Sequence, residues 1–217
     1  SQVHPHWTDR MAFICEPTAH LVSRQEVYPD GSGFRTRDCF NLLASTDEWF
    51  CPVQAEVGPD GAIWVADLAQ FIILHNLPGN PERGLPSVDY GPGNAHLNPL
   101  RDRAHGRIWR LQRTDENHAL DLSQASSEAL VQALRNKNRF WRTTARRLLV
   151  EGLYAEAIDD LHMVARGQDD LAAAEAIRTL QGLDALHDEQ ALGTLRLAME
   201  GTDVARRHAA LACLPLT

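Results

Sequence analysis

A chain of 217 residues can hold one or two modest domains with real cores. Its 44% hydrophobic and 23% charged content excludes a disordered polymer. The net charge of −8 argues against general nucleic-acid binding, which depends on neutralising phosphates, and no apolar run is long enough for a transmembrane segment. No signal-peptide pattern is present, but the opening at Ser1 rather than a methionine fits either processing or trimming ahead of that residue, with which any targeting segment would have been lost.

The first half alternates strand-like runs with turn chemistry. Met11–Cys15, His20–Tyr28 and Phe34–Arg37 read as strands, the last two joined across Pro29-Asp30-Gly31-Ser32-Gly33, whose glycines supply positive φ. Val53–Val57 and Ile63–Ala66 pair across Gly58-Pro59-Asp60-Gly61. Phe71–His75 reads as a third strand of that group and Gly106–Leu111 as its closing fourth. The segment VGPDGAIWVADL (57–68), with HGRIWRL (105–111), therefore reads as one blade of a β-propeller. Between its third and fourth strands, residues 76–105 are rich in Pro, Gly and Asn without periodicity, a loop expected to overhang one end of a channel.

After about Ser123 the period becomes helical. Leu130, Val131 and Leu134 share a face, as do Trp141, Ala145, Leu148 and Leu149. Ile158, Leu161 and Ala165 follow, then Ala173, Ala176, Ile177 and Leu180. The last two faces read as Leu192, Leu195 and Met199, and as Val204, His208, Leu211 and Ala212. Asp203 and Ser126 or Ser127 are the expected N-caps. Six helices in three pairs, repeating every 30 residues or so, suit an α-solenoid of HEAT-like pairs. The expected fold is thus α+β with segregated halves: antiparallel β-propeller blades over 1–115 (about two), then HEAT-like helical repeats over 123–217. Trp49, Trp64, Trp109 and Trp141 read as core residues between the two.

Positive charge gathers in residues 101–147, at Arg101, Arg103, Arg107, Arg110, Arg113, Arg135, Lys137, Arg139, Arg142, Arg146 and Arg147. This fits a solvated helix face with salt bridges, or a docking surface for an acidic partner. The four cysteines, Cys15, Cys39, Cys51 and Cys213, form no C-x-x-C pair, so zinc ribbons and covalent c-type haem are unsupported. Cys39 and Cys51 either pair across neighbouring strands or stay as buried thiols.

Four stretches carry a family resemblance: AFICEPTAHLV (12–22), LLASTDEWFCPVQAEVGPDGAIWVADL (42–68), HGRIWRL (105–111) and NRFWRTTARRLLVEG (138–152). In order and spacing the sequence resembles the membrane-bound dehydrogenase family of planctomycete type. In that family a propeller similar to quinoprotein glucose and sorbosone dehydrogenases precedes HEAT-like helices, and often a cytochrome c domain. The chain departs from the family pattern in three places. Its histidine falls one place late in Cys15-Glu16-Pro17-Thr18-Ala19-His20, Leu68-Ala69-Gln70 lacks the usual tyrosine, and Cys51 stands where arginine is common. Cys51, with Cys39 nearby, adds weight to a Cys39–Cys51 disulfide.

The resemblance implies pyrroloquinoline quinone (PQQ) and calcium in a complete propeller, no covalent haem in this chain, and an extracytoplasmic (periplasmic) location. The groups such chemistry uses are a histidine base, cations for the quinone carboxylates and oxygen ligands for calcium. In the relatives most of them lie on earlier blades, so the catalytic base is not identifiable here. The residues here that could contribute are Glu16, His20, Asp67, His75 and Arg107. Each also has a plain structural reading: inter-blade hydrogen bonds for Glu16 and His20, a turn cap for Asp67 with His75, a rim salt bridge for Arg107. Asp60 reads as a turn residue. The implied role is the C-terminal portion of a quinoprotein-like propeller dehydrogenase, closing the propeller and docking a partner such as a cytochrome c. A non-catalytic scaffold subunit of a larger complex is the other reading. Either way, the remaining blades or another subunit are the expected partner.

Overall fold

The computed structural model describes residues 10–71, 102, 104–112 and 120–214. The chain divides into two compact units, Ser1–Glu116 and Asn117–Thr217. Sheets occupy the first and helices the second, an α+β arrangement with the two classes segregated.

Among the described residues the first unit contains two open antiparallel sheets. β1 (Met11–Glu16), β2 (Leu21–Asp30) and β3 (Gly33–Asp38) pair in sequence order. A two-residue strand, β4 (Leu43–Ala44), continues along the β2 edge that β3 leaves. The β2–β3 turn falls on the expected glycine-rich segment. The second sheet runs β5 (Pro52–Val57), β6 (Ile63–Asp67), β7 (Arg107–Leu111). Here the reading from sequence needs correction. The strand expected at Phe71–His75 does not separate β6 from β7: β7 bonds β6 directly, in the register Asp67↔Arg107 to Ile63↔Leu111. Phe71 lies in a bend, and residues 72–75 fall outside the described residues, as does most of the expected loop 76–105. Among the described residues the strands form no closed ring.

The two sheets share a small core of Val22, Ile63 and Val65, with Phe13, Leu42, Ala55 and Leu111 packed on it. Period-two alternation on β6 turns Ile63, Val65 and Asp67 inward and Trp64 outward. A carboxylate thus occupies a core position. At the other strand of the hairpin a bulge at Val53 shifts the register between Pro52↔Asp67 and Gln54↔Ala66.

The described residues of the second unit form six helices: α1 (Ser127–Ala133), α2 (Arg139–Glu151), α3 (Ile158–Ala165, entered through a 3-10 turn), α4 (Asp170–Gly182), α5 (Glu189–Glu200) and α6 (Val204–Ala212). Side chains of Ser126, Asn138, Asp169, Asp188 and Asp203 cap five N-termini, accepting backbone N–H groups that the first turn leaves unpaired. Consecutive helices pack as pairs. In addition α1, α3 and α5 touch in series, and so do α2, α4 and α6, so the unit has two layers. Leu130, Leu134, Leu149, Leu161, Ile177, Leu180 and Leu195 are fully buried. On α5 and α6 the seam is made by Ala191, Leu195, Ala198, Ala209, Ala210 and Cys213. Leu192, Val204 and Leu211, expected inside, are exposed.

Candidate functional site

Burying an ionised carboxylate is costly unless its lone pairs are taken, and Asp67 shows how the fold meets that demand. Its side chain is wholly buried. Oδ1 accepts the backbone N–H groups of Cys51 (2.8 Å) and Ala69 (2.9 Å). Oδ2 accepts the Arg107 Nε–H (2.8 Å) and the Trp109 indole N–H (2.8 Å). The partners follow from register: Arg107 is directly opposite Asp67, and Trp109 lies two residues along β7 on the same face. The bulge at Val53 lies beside the Cys51 donor. Burial pushes the Asp67 carboxyl up. The hydrogen bonds from Trp109, Cys51 and Ala69, with the charge of Arg107, outweigh it and hold the group below the usual carboxylate range.

Arg107 is shared. Its Nη1 donates to Asp47 Oδ2 (2.6 Å), and its guanidinium carbon sits 5.6 Å from the Trp109 ring centroid. The hydrogen bond from Arg107, with the Trp49 backbone N–H, holds Asp47 below the normal range. Phe50, fully buried, meets Trp109 edge-on at 6.1 Å. The Phe50 carbonyl accepts the Nδ1–H of His20 (2.6 Å). His20 has φ of 55° at the end of the β1–β2 turn, and its own carbonyl accepts the Ser45 N–H. The imidazole therefore ties that turn to Phe50, two residues before β5.

Of the residues singled out from sequence, the structure brings Asp67, Arg107 and His20 into one connected neighbourhood through Asp47, Phe50 and Trp109. Glu16 is exposed at the end of β1. His75 lies outside the described residues. The expected Cys39–Cys51 disulfide is not formed: all four cysteines are free thiols. Cys39 follows β3, whose partner is β2, while Cys51 is buried at the head of β5 in the other sheet. Burial and the Asp67 charge raise the Cys51 thiol pKa. Trp64 and Trp109 correct another expectation, since both remain about 40% exposed rather than filling a core.

A second cluster of the same composition lies on the outer face of β6 and β7. Asp60 Oδ1 accepts the Ala62 backbone N–H (3.1 Å) and the Trp64 indole N–H (3.0 Å). Asp60 Oδ2 accepts the Arg110 Nε–H (2.5 Å), and the Arg110 guanidinium lies 5.7 Å from the Trp64 ring centroid. Partial burial raises the Asp60 carboxyl, but the bonds from Trp64, Arg110 and Ala62 leave it below the normal range. A Cβ at Gly58 would fall 2.3 Å from Trp64 Nε1, so the indole rests on a residue that must lack a side chain. Asp47, Trp109 and Arg110 were missed as site residues; the turn-forming Ser45-Thr46-Asp47 and the alternation of Arg107, Trp109 and Leu111 were the available signals.

In the helical unit the buried His162 makes a third polar knot. Thr194 gives its one hydroxyl proton to the Gln190 carbonyl (3.0 Å), so Nδ1 of His162 donates to Thr194 Oγ1 (3.0 Å). Burial, with Arg166 nearby, lowers the His162 pKa and keeps the ring neutral.

The profile of a protein family matches residues 1–115, just over half of the chain. The chain belongs to the DUF7133 family. The description of that family is a domain of unknown function, and its match coincides with the sheet unit containing both Asp–Trp–Arg clusters. No curated protein and no solved structure matches this DUF7133 chain.

Proposed function

We propose that this DUF7133 chain is a non-catalytic, structural and docking portion of a quinoprotein-like propeller assembly. The β5–β6–β7 sheet is one blade, incomplete as a ring, and the six helices are HEAT-like pairs. The helix reading is supported by side-chain caps at Asn138, Asp169 and Asp203, which head α2, α4 and α6 at steps of 31 and 34 residues. By the family resemblance the assembly is an extracytoplasmic dehydrogenase with PQQ and calcium. This chain would help close its propeller and offer a face to an electron-transfer partner such as a cytochrome c.

One observation carries the non-catalytic reading: Asp67 and Arg107, the candidate carboxylate and cation, are already bonded to each other. The Asp67 oxygens receive four N–H donors, which leaves no lone pair well placed for calcium. Arg107 bonds two carboxylates, so Asp47, Asp67 and Arg107 together carry a net negative charge. That environment disfavours the carboxylates of PQQ. Neither group fits this site, and no redox step is assigned to it.

Calorimetric titration of the purified chain with PQQ and calcium tests this directly, and no binding heat is expected. Purification from native extract should recover the chain with further blades, in the same polypeptide or a second one. Quinone binding that Asp67→Asn abolishes would return these residues to a redox site. Recovery as a free monomer would remove the assembly reading.

A further inference from the structure

The helical unit contains a groove of about 790 Å³ between α2 and α4, whose lining includes Phe140, Arg146, Arg147, Val150, Glu151 and Arg178. We propose that this groove binds a short, extended, acidic peptide segment of a partner protein. The inference stands on the helical unit alone and does not depend on the propeller reading.

Sequence places the charge. No acidic residue occurs between Glu128 and Glu151, while Arg135, Lys137, Arg139, Arg142, Arg146 and Arg147 all fall there, in a chain of net charge −8. Helical spacing then puts Phe140, Thr143, Arg146, Arg147 and Val150 along one stripe of α2. On α4, Glu175 is 8% exposed and organises two of the guanidinium groups. Arg146 Nη1 is 2.7 Å from its Oε2 and Arg178 Nη1 is 3.7 Å from its Oε1. One carboxylate between two arginines leaves that trio cationic, with both side chains about a third exposed to the groove. Beside them Arg147 is exposed and, among the described residues, has no hydrogen bond or ion pair.

The shape narrows the occupant. At Gly182 a Cβ would fall 2.6 Å from Val150 Cγ2, so α4 approaches α2 closely there and Val150 bounds one end. Phe140 bounds the other, itself packed edge-on against Trp141 at 5.1 Å. The ten-residue rise between Phe140 and Val150 is about 15 Å, the reach of about five residues of extended chain. Arg146, Arg147 and Arg178 outnumber Glu151 and Glu175, so the groove stays net positive between its apolar ends and matches a peptide that alternates carboxylates with apolar side chains. Arginine forks recognise carboxylates in pairs, and half-fixed arginines lose little freedom on binding. A long nucleic acid is disfavoured, because it would meet the field of a net-negative protein beyond the groove.

The test is fluorescence anisotropy with the full chain and a labelled eight-residue peptide of alternating glutamate and leucine. A lysine–leucine peptide and a short single-stranded RNA serve as competing probes. The glutamate peptide should bind with Kd on the order of 10 µM and weaken with added salt. Arg147→Glu should weaken it by about tenfold or more, without moving the thermal midpoint, because Arg147 is exposed. Arg178→Gln should weaken it by several-fold, and an unchanged amide spectrum would show that the fold survives that change. No binding at about 1 mM peptide, equal affinity for the lysine peptide, tighter binding of the RNA, or indifference to Arg147→Glu would each overturn the proposal.

Discussion

Two clusters of identical composition occupy opposite faces of one sheet, and they differ mainly at the carboxylate, which is wholly buried in Asp67 and 10% exposed in Asp60. Asp67, Arg107 and Trp109 lie on the inner face, with the Asp67 side chain wholly buried. Asp60, Arg110 and Trp64 lie on the outer face and at the turn, where the Asp60 and Arg110 side chains reach solvent. In both, the indole N–H and an arginine Nε–H converge on one aspartate, and the guanidinium covers the ring. The inner aspartate also takes two backbone N–H groups and the outer one takes one. The same three side chains therefore serve different ends: the inner set organises the chain around a buried charge, and the outer set pins a hairpin. The burial of the carboxylate and its backbone donors, rather than residue identity, set what each is worth.

The largest separation between the two should come from deleting the carboxylates. Asp67→Ala leaves the Cys51, Ala69 and Trp109 N–H groups and the Arg107 Nε–H without their acceptor, a loss of about 3–5 kcal/mol, while Arg107 keeps Asp47. Asp60→Ala should cost about 1 kcal/mol, because water replaces the lost acceptor. Urea denaturation of both variants, with amide exchange at Cys51, Ala69 and Ala62, measures the difference. Equal losses would show that burial is not what distinguishes the clusters.

Acid provides an intermediate effect. Both carboxyls are held below the ordinary range in the fold, so the stability they lend is complete above the unfolded value of about 3.9. It disappears as pH falls through the folded values, which therefore lie lower still. Denaturation midpoints taken downward from pH 5 should fall less steeply in Asp67→Asn than in the parent. Asp60→Asn should change that slope by a smaller amount. The smallest effect belongs to Arg110→Met, which removes one exposed ion pair and should cost less than about 1 kcal/mol, less again at high salt. A thermal melt at two ionic strengths checks it.

Much of the fold was legible because its periodicities are simple. Alternation around Asp60-Gly61 located β5 and β6 with the correct pairing, and Ser126 and Asp203 were recognisable caps. The place given to Phe71–His75 was wrong: an apolar run identifies burial, not pairing, and the place beside β6 belongs to β7. On α5 and α6 the larger apolar residues drew attention to Leu192, Val204 and Leu211. Closely packed helices instead bury the small Ala191, Ala198, Ala209 and Ala210. Asp67 and Arg107 stood out as charges near a strand end, yet their partnership depends on a register set across 40 residues. Trp64 and Trp109 were taken for core residues on size alone, whereas each is about 40% exposed and spends its N–H on a carboxylate.

The bare α-carbon at residue 58 has a reach larger than its size. It is the shelf on which the Trp64 ring lies, and that ring delivers its proton to Asp60, which in turn anchors Arg110 on the neighbouring strand. Adding one methyl group at the shelf would lift the ring and uncouple all three at once. The hairpin tip and the surface of β7 are in that sense a single mechanical part, hinged on the smallest residue in it.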